Sequence, residues 1–288
     1  MISDRTLGII VFALVWLGLT LGEPLPESDL PRQQAEIAPL MQRITPRSEE
    51  DNLRRWLDDN SLPGEGLGRP RRGAMVSHPE GWPLSDYEVR RHVESLAAER
   101  HALTYTWSQP RGQRMAVSAL GTDGRHFFAP GYLVGWQPFD TSHRWVPWYA
   151  VSQRIRYLRD HHRYLGRNDV WQTGPESWSL RTGDCEDHAL LLADWLINMG
   201  EDAWVVLGEY DGEGHAWVVL KRNDQAWLLE ATRKFGRRAL REYPLASTLP
   251  GYQPGMKFNR DALWVNEGSS HTRRYDGPEW RLAARFQP

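Results

Sequence analysis

The chain has 288 residues, 40% of them hydrophobic, which is enough to bury a sizeable core as one large domain or two small ones. Its 35 Lys and Arg against 37 Asp and Glu give a formal net charge of -2 and a pI near 6.6, so the basic footprint of a nucleic-acid-binding protein is missing and no nucleic acid partner is expected. One cysteine excludes an intramolecular disulfide and sets Cys185 apart, while most of the 15 tryptophans fall in positions that core packing explains.

In chain order, residues 7–21 are continuously apolar, preceded by Asp4 and Arg5 and followed by Glu23, Glu27 and Asp29. The run is long for a signal h-region and slightly short for a span of about 20 residues. No small-x-small cleavage site follows and no cysteine is near enough to be lipidated. Residues 1–22 are therefore expected to anchor the chain in a membrane, with a cleaved signal as the alternative. Arg5 and the amino terminus outweigh Asp4, which places the remainder outside. The expected location is the bacterial inner membrane, single-pass with the bulk of the chain in the periplasm, or secretion to the periplasm. Residues 23–80, rich in Pro, Gly and charge, read as a stalk with one helix at 49–59 carrying Leu53, Trp56 and Leu57 behind Ser48.

Residues 81–149 read as a helix plus β-meander accessory region. Ser85 and Glu88 form a capping box for a helix with Val89, Val93 and Leu96 on one face. Strand-like runs at 102–109, 113–120 and 126–135 follow, separated by Gly-rich turns. They form either a lobe of their own or an extension of a later sheet.

The region 150–250 carries the chemistry. The spacing predicts a helix over 151–165 ending at Gly166; its His161 and His162, being adjacent, do not face each other and are not expected to bind zinc. In Gly183-Asp184-Cys185-Glu186-Asp187-His188-Ala189, Asp184 can cap a helix whose apolar face runs through Ala189, Leu192, Leu196 and Met199 and which Gly200 ends. Cys185 then sits in the first turn, where backbone N–H groups and the helix dipole favour the nucleophilic thiolate. His188 is expected to pack. Three strand-like runs follow at 203–209, 215–220 and 226–231, an antiparallel meander that can bring His215 and Glu230 together over the helix start. Cys185, His215 and Glu230 would meet as nucleophile, base and orienter. Oxyanion donors would be the Cys185 N–H with Gln172 or Trp178. Residues 251–288 read as a C-terminal extension with one strand at 262–266.

The Gly183 to Ala189 run, then His215-Ala216-Trp217-Val218-Val219 and Trp227-Leu228-Leu229-Glu230-Ala231-Thr232, resemble the transglutaminase-like fold and, more narrowly, the bacterial transglutaminase-like cysteine peptidases. The segment 169–178 is similar to the one that leads into that family's cysteine helix, and the resemblance covers roughly residues 150 to 232. It implies an α+β, papain-like core with the nucleophile helix packed on an antiparallel sheet, behind the N-terminal membrane segment. It also implies cysteine-dependent hydrolysis of peptide or amide bonds in a protein or peptide substrate through a thioester. The family usually has Asp or Asn where this chain has Glu230. The same three residues would serve transglutaminase-type acyl transfer, and a non-catalytic binding module of a membrane complex is the reading from another class.

No cofactor is required by the sequence. Yet Asp184, Glu186 and Asp187 crowd Cys185 with negative charge, which opposes a thiolate unless Asp184 spends its charge on capping or a hard cation binds. Some members of the resembling family are calcium-dependent, with ligands that map onto Asp184 and Glu186.

Overall fold

The computed structural model describes residues 68–95, 102–109, 112–164, 167, 169–233 and 244–288, all within the unit Ser48–Pro288. The expected membrane segment and the expected helix at 49–59 lie outside the described residues. Among the described residues no helix is long and apolar enough to cross a membrane.

The accessory region begins earlier than its sequence suggests. Residues 74–77 belong to the fold, not to a stalk: β1 (Ala74–Ser77) pairs with β2 (Pro83–Ser85), and the first helix α1 (Asp86–Ser95) follows. Its capping box is formed as expected. The Glu88 carboxylate accepts the Ser85 N–H at 2.8 Å, and the Ser85 hydroxyl accepts the Glu88 N–H at 3.3 Å. Strands β3 (Ala102–Gln109), β4 (Gly112–Gly121) and β5 (His126–Phe128) make the expected meander, but the third strand stops at Phe128. Pro130, which has no N–H for a ladder, sits in a 3-10 turn at Ala129–Tyr132 instead.

The single helix expected over 151–165 is two helices. Helix α2 (Trp145–Arg154) ends where Ile155 becomes extended, β6 (Arg156–Tyr157) follows, and α3 (Asp160–Arg163) is one turn. Tertiary pairing overrides the helical pattern here. After β7 (Val170–Trp171), which joins β4 in parallel, and α4 (Gly174–Leu180), the chain forms β8 (Thr182–Gly183), and β6 pairs in parallel with β8. That small sheet ties the 156–157 segment beside the next element, α5 (Cys185–Asn198).

Helix α5 is the axis of the molecule. Leu190, Leu191, Leu192, Trp195 and Leu196 are fully buried, since α2 and α4 cover one side and strands β9 (Asp202–Tyr210) and β10 (Glu213–Arg222) the other. A helix apolar on several faces must lie inside, and this one does. Gly200, at φ +82°, ends it. With β11 (Gln225–Leu229) the expected antiparallel meander is present, Trp217 opposite Val206 and Val218 opposite Leu229.

The residues after 250 are not an extension. Strands β12 (Tyr252–Phe258), β13 (Ala262–Asn266) and β14 (Trp280–Gln287) continue the same antiparallel sheet, in the order β11-β10-β9-β12-β13-β14-β1-β2. β12 pairs with β9 because the outer edge of that strand needs a partner for its backbone groups. The face of this sheet away from α5 holds an aromatic layer of Trp204, Trp217, Tyr252, Tyr275 and Trp280. The β3–β4–β5–β7 strands form a sheet of their own, distinct from the eight-stranded one.

One buried charge locks α5 to both sheets' connections. Asp194, with no exposure, accepts the Gly135 and Trp136 N–H groups at 2.9 Å each and Arg260 Nε at 2.7 Å. Asp194→Ala strands those donors in the interior and is expected to cost about 3 to 5 kcal/mol of stability in denaturant titration. A loss below about 1 kcal/mol, the net worth of an ordinary hydrogen bond, would show that water replaces the carboxylate.

Candidate active site

The cysteine turn is built by its own backbone. Asp184 and Asp187 form a reciprocal capping box, with the Asp184 N–H donating to Asp187 Oδ2 at 3.3 Å. Gly183 is required by crowding, because a Cβ there would lie 2.5 Å from the Asp187 side chain. Cys185 is half-buried at the first position of α5.

Antiparallel pairing brings the other two residues together as expected. His215 lies on β10 opposite Gly208, and Glu230 follows the last residue of β11. His215 Nε2 is 2.7 Å from Glu230 Oε2. That bond uses the outer ring nitrogen and leaves Nδ1 for a reacting group. Cys185 and His215 share the wall of an open cavity of about 560 Å³, which Tyr157, Arg159 and Trp171 also line. A second cavity of about 380 Å³ continues past His215 to Glu230, Thr232 and Arg233, sharing Tyr157, Glu213 and Gly214 with the first. The exposed pair Arg159 and Glu213, 3.4 Å apart, faces the opening.

The electrostatic conflict read from the sequence is present. Burial pushes the Cys185 thiol up to about 12, Asp184 adds to the rise, and the Ala216 N–H opposes it. The thiol's hydrogen-bond partner is Glu186 Oε2, at 3.3 Å. Burial alone would raise Glu230 as well, but the bond and charge of His215 and the Thr232 donors outweigh it and hold the carboxyl below the glutamate range. His188, in contrast, packs: its ring nitrogens lie 2.6 Å from the Asp184 carbonyl and 3.2 Å from the Ile155 carbonyl, and burial lowers its basicity.

The two oxyanion candidates stand elsewhere. Gln172 gives its backbone N–H to Asp187 Oδ1 at 2.7 Å and one side-chain amide hydrogen to Oδ2 at 2.6 Å, so the residue is turned toward the cap of α5. Trp178 packs among Phe139, Trp136 and Trp195 under the Arg154 guanidinium. Neither lines the cavity. Cys185 itself is the first residue of α5.

The carboxylates expected to hold calcium are joined by a residue the sequence did not single out. Asp160, Asp184, Glu186 and Asp187 are all buried, with one oxygen each within 4.8 Å of the others. Asp160 Oδ1, Asp184 Oδ1 and Glu186 Oε1 have no hydrogen-bond partner, whereas both oxygens of Asp187 are engaged. Burial and then the neighbouring charges drive Glu186 and Asp187 well above the carboxylate range, and burial and Asp184 push Asp160 up to about 7. Hard oxygen donors orphaned inside a protein fit a divalent cation such as calcium, which would be held by Asp160, Asp184 and Glu186 and would supply positive charge next to the thiol. Asp160 was hidden because it fell within a run that read as one helix. His161, on the same short turn, lines the cavity and its ring lies 3.8 Å from that of His162.

A family model described as the CEP76 peptidase-like domain matches residues 169–282, a stretch that contains Cys185, His215 and Glu230 and runs on into β14. Human Protein CC2D2B is 36% identical over 62 residues, which are 22% of this chain and 4% of that protein's length. Among solved structures, calcium-bound LapG of Legionella pneumophila aligns over 47% of this chain and 75% of its own, at 18% identity and a TM-score of 0.35. A protein from Cytophaga hutchinsonii, described as a cysteine protease candidate, aligns over 51% and 52% of the two chains, at 14% identity and a TM-score of 0.27.

Proposed function

We propose that this chain is a transglutaminase-like cysteine peptidase or amidase. The observation that carries the reading is the His215 to Glu230 bond of 2.7 Å, with His215 on the wall of the cavity that also holds Cys185, the single cysteine, at the start of a helix. Cys185 sulfur attacks the carbonyl carbon of a peptide or amide bond, and the Cys185 N–H stabilises the oxyanion. His215 gives the proton taken from the thiol to the leaving amine, so that the C–N bond breaks and a thioester remains. Water, deprotonated by His215, then hydrolyses the thioester and restores the thiol. Glu230 holds the imidazole and stabilises its cationic form. Asp160, Asp184 and Glu186 would hold a divalent cation, which would supply positive charge against the carboxylates that oppose the thiolate.

The substrate is a protein or peptide, reached from the membrane to which residues 1–22 attach the chain, with the cavity on the periplasmic side. Proteome-wide comparison of alkaline-washed bacterial membranes carrying the parent chain or Cys185→Ala tests this. The expected result is new protein termini that depend on Cys185, with the chain retained in the washed membranes. No Cys185-dependent termini, together with alkylation of Cys185 at the rate of free cysteine, would favour a binding module, and release by the wash would remove the anchor.

A further inference from the structure

Glu230 is one methylene longer than the acid such a site usually carries, and a longer side chain has more rotamers to lose before it can orient an imidazole. The surroundings of Glu230 remove that freedom. Its carboxylate is buried and accepts four hydrogen bonds. Oε1 takes the Thr232 N–H at 2.9 Å and the Thr232 hydroxyl at 2.6 Å. Oε2 takes His215 Nε2 at 2.7 Å and the Tyr252 hydroxyl at 3.1 Å. Its backbone carbonyl accepts Trp148 Nε1 at 3.0 Å, so α2 fixes the main chain as well. Tyr252 comes from the first residue of β12, where it pairs with Tyr210 of β9, and its ring lies 4.4 Å from that of Tyr210, 5.1 Å from Trp217 and 6.2 Å from His215. A phenol that only filled the aromatic layer would have no need to aim its hydroxyl at the oxygen that holds the imidazole.

We propose that Thr232 and Tyr252 are positioning residues of the site: Thr232 clamps one carboxylate oxygen, Tyr252 pins the other, and together they place Glu230 Oε2 at hydrogen-bond distance from His215. The proposal rests on the reading of Cys185, His215 and Glu230 as a catalytic group. Charge-assisted bonds of this kind are strong and directional, and a displaced orienter costs rate more than binding.

Tyr252→Phe keeps the packed ring and Thr232→Val keeps the volume, so both test the hydroxyl. Each is expected to lower kcat about 10-fold with KM unchanged, and Thr232→Ser to retain activity within about two-fold. In a Glu230→Gln background neither change should matter further, because both act through the carboxylate. Equal losses with and without Glu230→Gln, or kcat within two-fold of the parent in both single variants, would overturn the proposal. A second readout does not need turnover. In the full chain labelled with 15N-histidine, the His215 Nε2 proton should be a slowly exchanging downfield resonance that exchanges faster in Tyr252→Phe and Thr232→Val and is lost in Glu230→Gln. A resonance unchanged in the two hydroxyl variants would sink the positioning role even if the peptidase reading stands. A resonance that responds as expected in a protein with no Cys185-dependent turnover would uphold the positioning role and retire the peptidase reading.

Discussion

Cys185→Ala and His215→Ala are each expected to abolish turnover, by at least about 1000-fold in kcat, and the double variant is expected to be little worse than either. The non-additivity follows from the chemistry. Without the thiol the imidazole has no nucleophile to activate, and without the imidazole a buried thiol raised to about 12 stays protonated and cannot expel an amine. Folding should survive both changes, since Cys185 lies at the rim of the core and His215 borders the cavity. The measurement is initial rate on a peptide library with thermal unfolding in parallel. Turnover that persists in Cys185→Ala would end the proposed mechanism.

The second large effect is expected from calcium. Three buried carboxylate oxygens without partners are a standing cost, and a cation that binds only the folded chain returns it. At a calcium concentration 100 times Kd the gain is about 2.7 kcal/mol, visible as a rise in Tm, with magnesium weaker because it demands a tighter octahedral shell. The sign reverses in a useful way in Asp160→Asn. Removing one of several crowded carboxylates should stabilise the calcium-free protein while erasing the calcium-induced rise, and Asp184→Ala or Glu186→Ala should erase the rise too. A Tm flat across a calcium titration of the parent chain would leave capping of α5 as the whole role of Asp184.

The parts of this fold that the sequence made legible are those in which one segment dictates its own structure. Helix α5 announces itself through Asp184, the buried spacing to Leu196 and the stop at Gly200, and the β9 to β11 meander through its turn residues and apolar runs. His215 and Glu230 follow, because register carries one to the other. What could not be read depends on partners far away in the chain. The break at Ile155 exists because residues 156–157 find β8, and the integration of residues 252–287 exists because β12 finds β9. The oxyanion candidates stand away from the cavity for a related reason: Gln172 is the right residue type in the right neighbourhood, but Asp187, 15 positions on, binds both its backbone N–H and its side-chain amide. Thr232 is two positions from Glu230 and gave no signal as a donor, since threonine after a strand is ordinary turn chemistry.

The pairing of β1 with β14 has a consequence for how the molecule comes into being. Ala74 meets Gln287 and Ser77 meets Ala284, so the first described strand depends on a partner far along the chain. The β9 to β11 meander can close over short turns, but its neighbours on the other flank are, in spatial order, β12, β13, β14 and then β1. During synthesis the open flanks of β1 and β9 present unpaired backbone to any passing strand, the condition under which nascent β-rich chains associate. Contacts of such long range also slow the search for the native state. Until β14 is in place the nucleophile helix and its meander can form, but β1 and β2 have no strand through which to join the sheet.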